Sequence, residues 1–366
     1  MIVTRRNVLL AGSAVASAQT GESAHIGIIG CGNRSTAHLA ALRHLPEGKI
    51  VALSDVRPEK SAEANKTLAQ PAATYVDYRE LIRDRNVGVV VIAAPGYLHH
   101  EMAMAALRAG KDVLLEKPMA TTYKDALEIV SEAKRSGRIV AVGIQRRYAA
   151  ADRQTLAVVQ SGRIGDVRLV TFSEWRGDWI AHGWKYTDPA TGKQTNWRYL
   201  NKTAGSTELE FSVHALAEVT SFVRSPIRRV AASGGTLHYR DGRDTRDTSN
   251  ILVEFANGTR LNYSFTCFAP RSGSSLSIIG DKGALTRTQN KITVQVAGQA
   301  AQDLPPLEQP AGETAEVLFY REFMKNIRDR TPSPVGPEEA LEPSKIAFAA
   351  DWSIAQNRFV TEKDFA

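Results

Sequence analysis

The stretch Ile26-Gly27-Ile28-Ile29-Gly30-Cys31-Gly32-Asn33-Arg34-Ser35 joins an apolar run to a glycine-containing turn. Apolar residues at helical spacing follow from Thr36 to Leu45 and predict a helix there. A strand, a glycine turn and a helix in this order are typical of the first βαβ unit of a dinucleotide-binding domain. Gly30 permits the tight turn, and Gly32 lets the backbone approach a pyrophosphate, whose charge the helix N-terminus favours. Ser35 stands where the pattern has its third glycine, and its small side chain still permits close packing of helix on strand.

The next predicted strand supports this interpretation. Residues 50–53 lead to Asp55, about 20 residues after the glycine turn. A carboxylate at this place accepts hydrogen bonds from the ribose hydroxyls and repels a 2′-phosphate, so we expect NAD rather than NADP. Arg57 offers the alternative of a contact with the adenine or with such a phosphate. Asp55 has a second interpretation, as the cap of a helix that begins at Pro58.

Strands and helices continue to alternate up to residue 145. The all-apolar run from Val87 to Ala93 lies between amphipathic segments, which indicates a parallel sheet with helices on both faces. We therefore predict an α/β fold in which a Rossmann, doubly wound parallel sheet domain occupies residues 21–145. The further predicted elements are helices at 78–84, 100–109 and 125–136 and strands at 113–115 and 139–144.

Composition restricts the possible partners. The 366 residues are 43% hydrophobic and 23% charged, which is ordinary for a globular protein of two domains. The formal net charge is +7, but the longest basic runs are pairs of arginines, which argues against a nucleic-acid partner. The two cysteines, Cys31 and Cys267, are too few for a disulfide framework or a cysteine-based metal site.

Residues 1–20 differ from the rest of the chain and are predicted to be a signal peptide. The pair Arg5-Arg6 precedes a short apolar run, Val8 to Val15, and the small residues Ala16-Ser17-Ala18. The run is too short to span a bilayer, so we expect no integral membrane segment. The arginine pair after Thr4 favours a twin-arginine signal. We expect a periplasmic or secreted protein that is exported already folded, or a cytoplasmic protein if these residues are only a frayed tail.

Three segments carry a resemblance to a known family. Gly30 to Arg34, Ala94-Pro95-Gly96-Tyr97-Leu98-His99 and Ala109-Gly110-Lys111-Asp112-Val113-Leu114-Leu115-Glu116-Lys117-Pro118 resemble successive signatures of the Gfo/Idh/MocA oxidoreductases in order and spacing. This resemblance implies NAD(P)-dependent oxidation of a sugar or cyclitol, with Lys117 in the active site beside the nicotinamide. The residues expected to hold the cofactor are Gly30, Gly32, Asn33, Arg34, Asp55, Arg57, Pro95, His99, Glu116 and Lys117.

Residues 146–366 are predicted to form a second, α+β domain that binds substrate and joins subunits. Strands are predicted at 167–174, 230–239, 251–255, 260–268, 276–279 and 291–296, the last five as a β-meander, and helices at 313–328 and 337–356. The resemblance likewise implies a large, mostly antiparallel sheet with helices on one face. Because the other face would be bare, we expect a homodimer or homotetramer through this sheet.

One loop-like segment of the second domain is rich in tryptophan. Aromatic rings among donors and acceptors suit a carbohydrate, whose C–H faces stack on the rings while its hydroxyls form hydrogen bonds. The alternative is an aromatic lid that packs on itself or on a neighbouring subunit. The candidate substrate residues are Trp175, Arg176, Trp179, His182, Trp197 and Arg198.

Glu210 and His214 follow the glycine of the segment Ala204-Gly205-Ser206. The family commonly has Asp-x-x-x-His here, so the resemblance implies that these residues join Lys117 at the substrate. Glutamate replaces the usual aspartate. Ala217 stands where the family usually has an acid, three residues after the histidine. Residues four apart on an α-helix share a face, so both side chains can point at one hydroxyl. A Glu210–His214 metal pair, with His182, is the alternative, but we expect no metal.

Oxidation of a secondary alcohol removes a proton from oxygen and a hydride from carbon. We expect His214 to be the general base, because its titration range matches the task, and Lys117 to hold the hydroxyl or to act as the base itself. Glu210 would orient the substrate or His214. Two other functions are compatible with the sequence: an NAD-dependent, redox-neutral glycosidase with a tightly bound cofactor, and a cofactor-binding sensor without catalysis.

Overall fold

The computed structural model describes residues 23–178, 181, 185–187 and 192–365, which form two large sheets with helices packed on them. The predicted signal, residues 1–20, lies outside the described residues, so the expected export stays a prediction. None of the helices within these ranges has both the length and the apolar character needed to cross a bilayer.

The first sheet is parallel and doubly wound, as the sequence predicts. Its strands are β1 (Ala24–Ile29), β2 (Gly48–Ser54), β3 (Ala73–Tyr75), β4 (Val89–Ile92), β5 (Asp112–Leu115) and β6 (Val140–Val142). They lie in the order β3-β2-β1-β4-β5-β6, so the winding direction reverses between β1 and β4. Every residue of β4 is buried, because helices cover both faces of the sheet. Sheets of this kind bind ligands in the crevice at the carboxyl ends of the strands where the winding reverses.

The strands of the first sheet are connected by helices α1 (Asn33–Leu42), α2 (Pro58–Asn65), α3 (Tyr78–Arg83), α4 (His99–Arg108) and α5 (Tyr123–Ser136). Helix α1 begins at Asn33 rather than at Thr36, directly after Gly32, so its N-terminus meets the crevice. Helix α5 begins where the Thr122 side chain accepts a backbone hydrogen bond (3.1 Å). It ends at Gly137, whose φ of 62° suits glycine and stops the helix.

The second sheet has eight strands and is mostly antiparallel. The strands after β6 are β7 (Val167–Trp175), β8 (Lys185–Thr187), β9 (Gln194–Asn196), β10 (Ile227–Gly235), β11 (Thr248–Phe255), β12 (Arg260–Thr266), β13 (Gly273–Gly280), β14 (Gly283–Thr288), β15 (Lys291–Val296) and β16 (Gln302–Asp303). The sheet has the order β10-β11-β12-β7-β13-β14-β15-β16, and β8 and β9 form a separate hairpin. Strand β7 is parallel to β12 and antiparallel to β13.

Two features of this sheet differ from the predicted β-meander. Strand β7 lies between β12 and β13, so a strand from earlier in the chain divides the meander. The apolar pattern also does not predict β14, because Arg287 is buried at a position where an alternating strand would have an apolar residue. Burial of an arginine requires anionic partners, and these lie among the helices behind the sheet.

The second domain places its helices on one face of the sheet. The remaining helices are α6 (Ala150–Gln160), α7 (Asn201–Ala204), α8 (Val213–Val223), α9 (Ala315–Asp329) and α10 (Pro337–Gln356), and a short π-helix, Glu208–Ser212, directly precedes α8. Helices α6, α8 and α10 contact strands of this sheet. On the other face, Leu252, Asn262 and Ile279 are exposed, as expected for a face without helices.

Helix α9 packs against the first domain, although its residues follow the second domain in the chain. Phe319, Tyr320 and Phe323 share one hydrophobic cluster with Leu39 and Leu42 of α1. Helix α9, which the predicted boundary assigns to the second domain, therefore covers α1 of the first domain with its apolar face. Helix α10 packs on α5 as well as on β10, so the C-terminal part of the chain joins the two domains. The predicted boundary at residue 145 falls between β6 and α6.

A network of buried ion pairs lies between the second sheet and its helices. Arg287 is 2% exposed and donates to both carboxylate oxygens of Glu218, at 2.6 and 2.7 Å. The same guanidinium lies 3.2 Å from Asp152, and Arg146 connects Asp152 (3.5 Å) to Glu174 (2.6 Å). Burial and the charge of Glu218 raise the pKa of Asp152 to about 7, although the two arginines oppose this shift.

We predict that Arg287→Met lowers the free energy of unfolding by about 3–5 kcal/mol, because Glu218 would stay buried without its partner. Urea denaturation followed by circular dichroism measures the change. Arg168→Met is the matched control: its side chain is 53% exposed and pairs with Asp166 and Asp281, so its loss should cost about 0–1 kcal/mol. Equal losses in the two variants would contradict the role assigned to Arg287.

Candidate active site

A cleft of about 630 Å³ opens at the carboxyl ends of β1 and β4. It extends from the glycine turn of the first domain to Trp197, Arg198 and Glu210 of the second, so both domains form its wall. Among the residues predicted to hold the cofactor, His99 alone does not line it. The others in the wall are Gly30, Gly32, Asn33, Arg34, Asp55, Arg57, Pro95, Glu116 and Lys117.

The glycine turn after β1 passes close to the end of β4. Gly30 has a φ of +90°, and a Cβ atom there would lie 2.8 Å from the backbone of Ala93, so no larger residue fits. A Cβ atom on Gly32 would meet no atom within 4 Å, and this position borders the cleft. The turn therefore leaves room for a pyrophosphate at the N-terminus of α1, where backbone N–H groups favour an anion.

The Asp55 carboxylate is bonded to the backbone through both of its oxygens. One accepts a hydrogen bond from the N–H group of Cys31 (2.8 Å), and the other accepts from that of Arg57 (2.9 Å). Asp55 thereby joins the glycine turn to the end of β2. Arg57 occupies the N-cap position of α2, so the alternative role of Asp55 as a helix cap is not the one observed. The remaining lone pairs of the carboxylate can accept hydrogen bonds from ribose hydroxyls.

Glu116 is a buried anion with two partners on α1. Arg34 Nε donates to its carboxylate at 2.6 Å, and His38 Nε2 lies 3.2 Å from the same oxygen. Burial alone would raise the pKa of Glu116, but the close contact with His38 and the charge of Arg34 hold it well below its usual range. The other ring nitrogen of His38 is hydrogen-bonded to the Tyr320 hydroxyl (2.9 Å). A Cβ atom on Gly143 would lie 2.7 Å from the carboxylate, so glycine there gives Glu116 its room.

His99 lies beneath the cleft. It is 1% exposed, and its two ring nitrogens lie 2.7 Å from the Pro118 carbonyl oxygen and 2.8 Å from the Ala94 carbonyl oxygen. These contacts hold the loop after β4 to the loop after β5. His99 therefore shapes the part of the wall on which Pro95 and Lys117 lie.

Lys117 reaches from the first domain to the second. Its Nζ donates a hydrogen bond to the backbone carbonyl of Glu210 at 2.6 Å and lies 3.6 Å from the Glu210 carboxylate. Burial lowers the pKa of Lys117; the negative charge of Glu210 opposes this shift, and the positive charge of Arg198 adds to it. The ammonium group therefore gives up its proton more readily than that of an ordinary lysine.

Glu210 lies on the π-helix, where the sequence predicts an α-helix. The wider turn alters the spacing on which a shared face of Glu210 and His214 depends. Glu210 is 3% exposed, and its carboxylate accepts a hydrogen bond from Arg198 Nε at 2.8 Å. With Lys117 also close, two cations neutralise this carboxylate, which disfavours a metal ion at the same place.

His214 lies in the first turn of α8, close enough to Lys117 to be affected by its charge. Its Nδ1 atom is buried and has no hydrogen-bond partner among the described residues. Desolvation lowers the pKa of His214 well below the usual range, and the positive charges of Lys117 and Arg146 lower it further. The ring is therefore neutral at physiological pH, which is the state that a proton acceptor requires.

Arg146 and Glu174 belong to the site, although no sequence motif identifies them. Arg146 follows β6 at the carboxyl edge of the first sheet, and it donates a hydrogen bond to Glu174 at 2.6 Å. The other Glu174 oxygen accepts from the Tyr263 hydroxyl at 2.9 Å. The available signal was an arginine four residues after the end of β6, a strand that ends at the ligand-binding edge of a doubly wound sheet.

Trp197 and Arg198 lie in the cleft wall, where the Arg198 guanidinium is 4.5 Å from the centroid of the Trp197 ring. Tyr97, from the first domain, packs against the rings of Trp197 (6.5 Å) and Tyr186 (5.6 Å). The tryptophan-rich segment therefore packs partly on other aromatic residues, as the lid alternative expects, while Trp197 also borders the cleft.

Among the other predicted substrate residues, Trp175 ends β7 and Arg176 directly follows it. Trp175 lies against Gly273 of β13, on the opposite face of β7 from Glu174. Arg176 lies 3.5 Å from the Glu174 carboxylate, near Lys117 and His214. Trp179 and His182 lie outside the described residues.

Glu210→Gln removes the negative charge that opposes the lowering of the Lys117 pKa. We therefore predict that this pKa falls further below its ordinary value in the variant. Acetylation with acetic anhydride at a series of pH values, followed by peptide mass spectrometry, measures the shift. Lys117 should become reactive at a lower pH than in the wild type, while Lys124, whose side chain is 85% exposed, should keep its profile. A Lys117 profile that is unchanged or moved to higher pH would disprove the charge coupling.

Two family models match this chain, one for each domain. The model described as "Oxidoreductase family, NAD-binding Rossmann fold" matches residues 24–144. The model described as "GFO/IDH/MocA C-terminal domain" matches residues 153–286. Together the two matches cover more than half of the chain.

Relatives with named activities match nearly the whole length of the chain. It is 25% identical over 354 residues to inositol 2-dehydrogenase/D-chiro-inositol 3-dehydrogenase of Lactiplantibacillus plantarum, with 93% of each protein covered. It is 24% identical over 351 residues to myo-inositol 2-dehydrogenase of Thermotoga maritima, with 92% of this chain and 97% of the relative covered. Levoglucosan dehydrogenase in complex with NADH shares the fold, with a TM-score of 0.82 at 22% identity over 93% of this chain and 99% of that structure. The chain belongs to the Gfo/Idh/MocA family of oxidoreductases, with an NAD-binding Rossmann domain.

Proposed function

We propose that this protein transfers hydride between a secondary hydroxyl of a sugar or cyclitol and the nicotinamide of NAD. The observation that carries the proposal is the contact of Lys117 with Glu210, close to His214, at the second-domain end of the cofactor cleft. A lysine with a lowered pKa and a neutral histidine beside a nucleotide cleft are groups suited to alcohol oxidation. The two relatives named as inositol dehydrogenases support a polyhydroxylated substrate.

His214 accepts the proton of the substrate hydroxyl in this mechanism. Its pKa is lowered by desolvation and by Lys117, so the ring is neutral and ready to accept a proton. No hydrogen bond between Nδ1 and a described residue has to break first. The nicotinamide, when bound, accepts the hydride from the carbinol carbon.

Lys117 holds the hydroxyl oxygen while its proton leaves. An ammonium group at this place stabilises the negative charge that develops on the oxygen. Glu210 fixes the position of Lys117 Nζ through its backbone carbonyl and its carboxylate. Because its pKa is lowered, Lys117 is also able to serve as the base, as the sequence leaves open.

Net oxidation and a redox-neutral glycosidase reaction differ in what they release. A dehydrogenase accumulates NADH, whereas the glycosidase would release an aglycone and keep its cofactor in the starting state. The relatives described above are named as dehydrogenases and give the glycosidase no support. Incubation with NAD and a panel of cyclitols, sugars and aryl glycosides separates the two reactions.

We further propose that copies of this chain associate through the outer face of the second sheet. Leu252 and Ile279 are 49% and 43% exposed on this face, and none of the described helices covers it. Export of the folded protein remains part of the proposal and rests on the arginine pair and apolar run within residues 1–20.

Lys117→Ala and His214→Ala should each lower kcat by roughly 10²-fold or more while NAD binding is retained, because acid–base catalysis is worth about this much. Steady-state formation of NADH measures turnover, and cofactor titration measures binding. Lys124→Ala is the control, since its side chain is 85% exposed and is not part of the cleft wall. Turnover at the wild-type rate in both site variants would refute the assignment.

The rate of oxidation should stay constant as the pH falls through 6.5, because the lowered pKa keeps His214 unprotonated there. Below its lowered pKa the ring gains a proton, and kcat/KM should fall. A pH profile of kcat/KM measures this acidic limb, which should disappear in the residual activity of His214→Ala. A limb centred at or above pH 6.5 would argue against His214 as the base.

Asp55→Asn should raise the use of NADP relative to NAD by about tenfold or more, because the negative charge that repels a 2′-phosphate is removed. The ratio of kcat/KM for the two cofactors measures the effect. The amide oxygen can still accept one of the two backbone hydrogen bonds, so the glycine turn should persist. An unchanged cofactor ratio would show that Asp55 does not determine the preference.

A further inference from the structure

Five cations and four carboxylates lie at or behind the second-domain end of the cleft. Lys117, Arg198 and Glu210 line its wall, whereas Arg287 and Glu218 are buried between the second sheet and its helices. Asp152 has a pKa raised to about 7, so near neutral pH it carries only part of a negative charge. Together the five cations and four carboxylates therefore retain a net positive charge. They form two chains of ion pairs, Lys117–Glu210–Arg198 and Arg176–Glu174–Arg146–Asp152–Arg287–Glu218.

Arg176 is the cation of these chains that is least committed to a carboxylate. Glu174, its nearest anion, is 4% exposed and already accepts hydrogen bonds from Arg146 (2.6 Å) and Tyr263 (2.9 Å). The Arg176 guanidinium lies 3.5 Å from Glu174, and its side chain donates no hydrogen bond to a described residue. Arg176 does not line the cleft wall, but 32% of its side chain is exposed, so a ligand can reach it.

The backbone holds Arg176 firmly beside the reacting groups. Its N–H donates to the Thr266 carbonyl at 2.9 Å, and its own carbonyl accepts from the Ala269 N–H at 2.8 Å. Its guanidinium lies 5.9 Å from the centroid of the Phe211 ring, and Phe211 directly follows Glu210, which contacts Lys117. A group bound by Arg176 would therefore lie close to the carbon that is oxidised.

The cofactor increases the need for a compensating negative charge. NAD as a whole is an anion, but its pyrophosphate is expected at the glycine turn of the first domain. The oxidised nicotinamide ring is a cation, so the ring alone adds positive charge beside Lys117. A neutral substrate would leave this charge uncompensated in a partly buried site, which is costly. A carboxylate on the substrate would compensate it, and a guanidinium can bind a carboxylate through two parallel hydrogen bonds.

We infer that the substrate is a carboxylated sugar or cyclitol, of the uronic-acid class, and that Arg176 binds its carboxylate. The inference rests on the proposed function and specifies the substrate class of the same site. Arg176 does not take part in proton or hydride transfer; it determines which polyhydroxylated compound is bound.

The first experiment compares acids with their neutral parents: glucuronate with glucose, galacturonate with galactose, and myo-inositol as a neutral cyclitol. With saturating NAD and wild-type protein, kcat/KM for the better acid should exceed that of every neutral compound by about tenfold or more, the worth of one charge-assisted hydrogen bond. Equal or faster oxidation of a neutral compound would overturn the inference and leave the proposed function intact. NADH formation from none of the compounds would overturn the proposed function, and the inference with it.

The second experiment tests the role of Arg176 itself. Arg176→Gln should lower kcat/KM for the acid by about tenfold or more and change that for a neutral sugar by less than about threefold. Arg176→Lys keeps the positive charge but loses the planar guanidinium, so it should retain part of the preference for the acid. Partial retention would show that the loss in Arg176→Gln does not come from misfolding. The control is Arg168→Gln, at the opposite end of β7, which should change neither value. An equal loss for acid and neutral sugars in Arg176→Gln would show a structural role and overturn the inference.

Discussion

The hydrogen bond from Lys117 to the Glu210 carbonyl, 2.6 Å long, joins side chain and backbone from different domains. Burial of an ammonium group is unfavourable unless anions or carbonyl dipoles surround it. The second domain supplies both to Lys117, through the carbonyl and the carboxylate of Glu210. The same contact also helps to set its pKa, because the Glu210 carboxylate lies 3.6 Å away. The contact that joins the two domains therefore also helps to set the pKa of the reactive amine.

Fixed pairs of charges surround this contact. Three buried glutamates, Glu116, Glu174 and Glu210, each accept a hydrogen bond from an arginine at 2.6 to 2.8 Å. Such pairs keep the dipoles of the site in place before substrate arrives, so little reorganisation is needed during the reaction. In each pair the arginine and the glutamate come from different elements of the chain, so the pair forms only when those elements are packed together.

Local patterns were sufficient for most of the first domain, although they did not predict the short strand β3. The glycine turn, Asp55 and Lys117 could be found because each follows a strand in a doubly wound sheet, where carboxyl ends meet at one edge. The insertion of β7 between β12 and β13 was not predictable in this way, because it depends on contacts between distant segments. The same holds for Arg146, whose partner Glu174 is remote in sequence, and for the π-helix, which α-helical spacing does not reveal.

Helix α9 makes the nucleotide-binding half of the chain incomplete by itself. Its residues Phe319, Tyr320 and Phe323 are at most 1% exposed and cover α1, although they are encoded after the whole second sheet. A fragment that ends at the boundary between β6 and α6 would expose this apolar surface of α1 to water. Recombination that exchanged only the first 145 residues with those of a relative would have to match a foreign α1 to the resident α9. The packing of this helix pair therefore couples the two halves of the molecule, even where their catalytic tasks are separate.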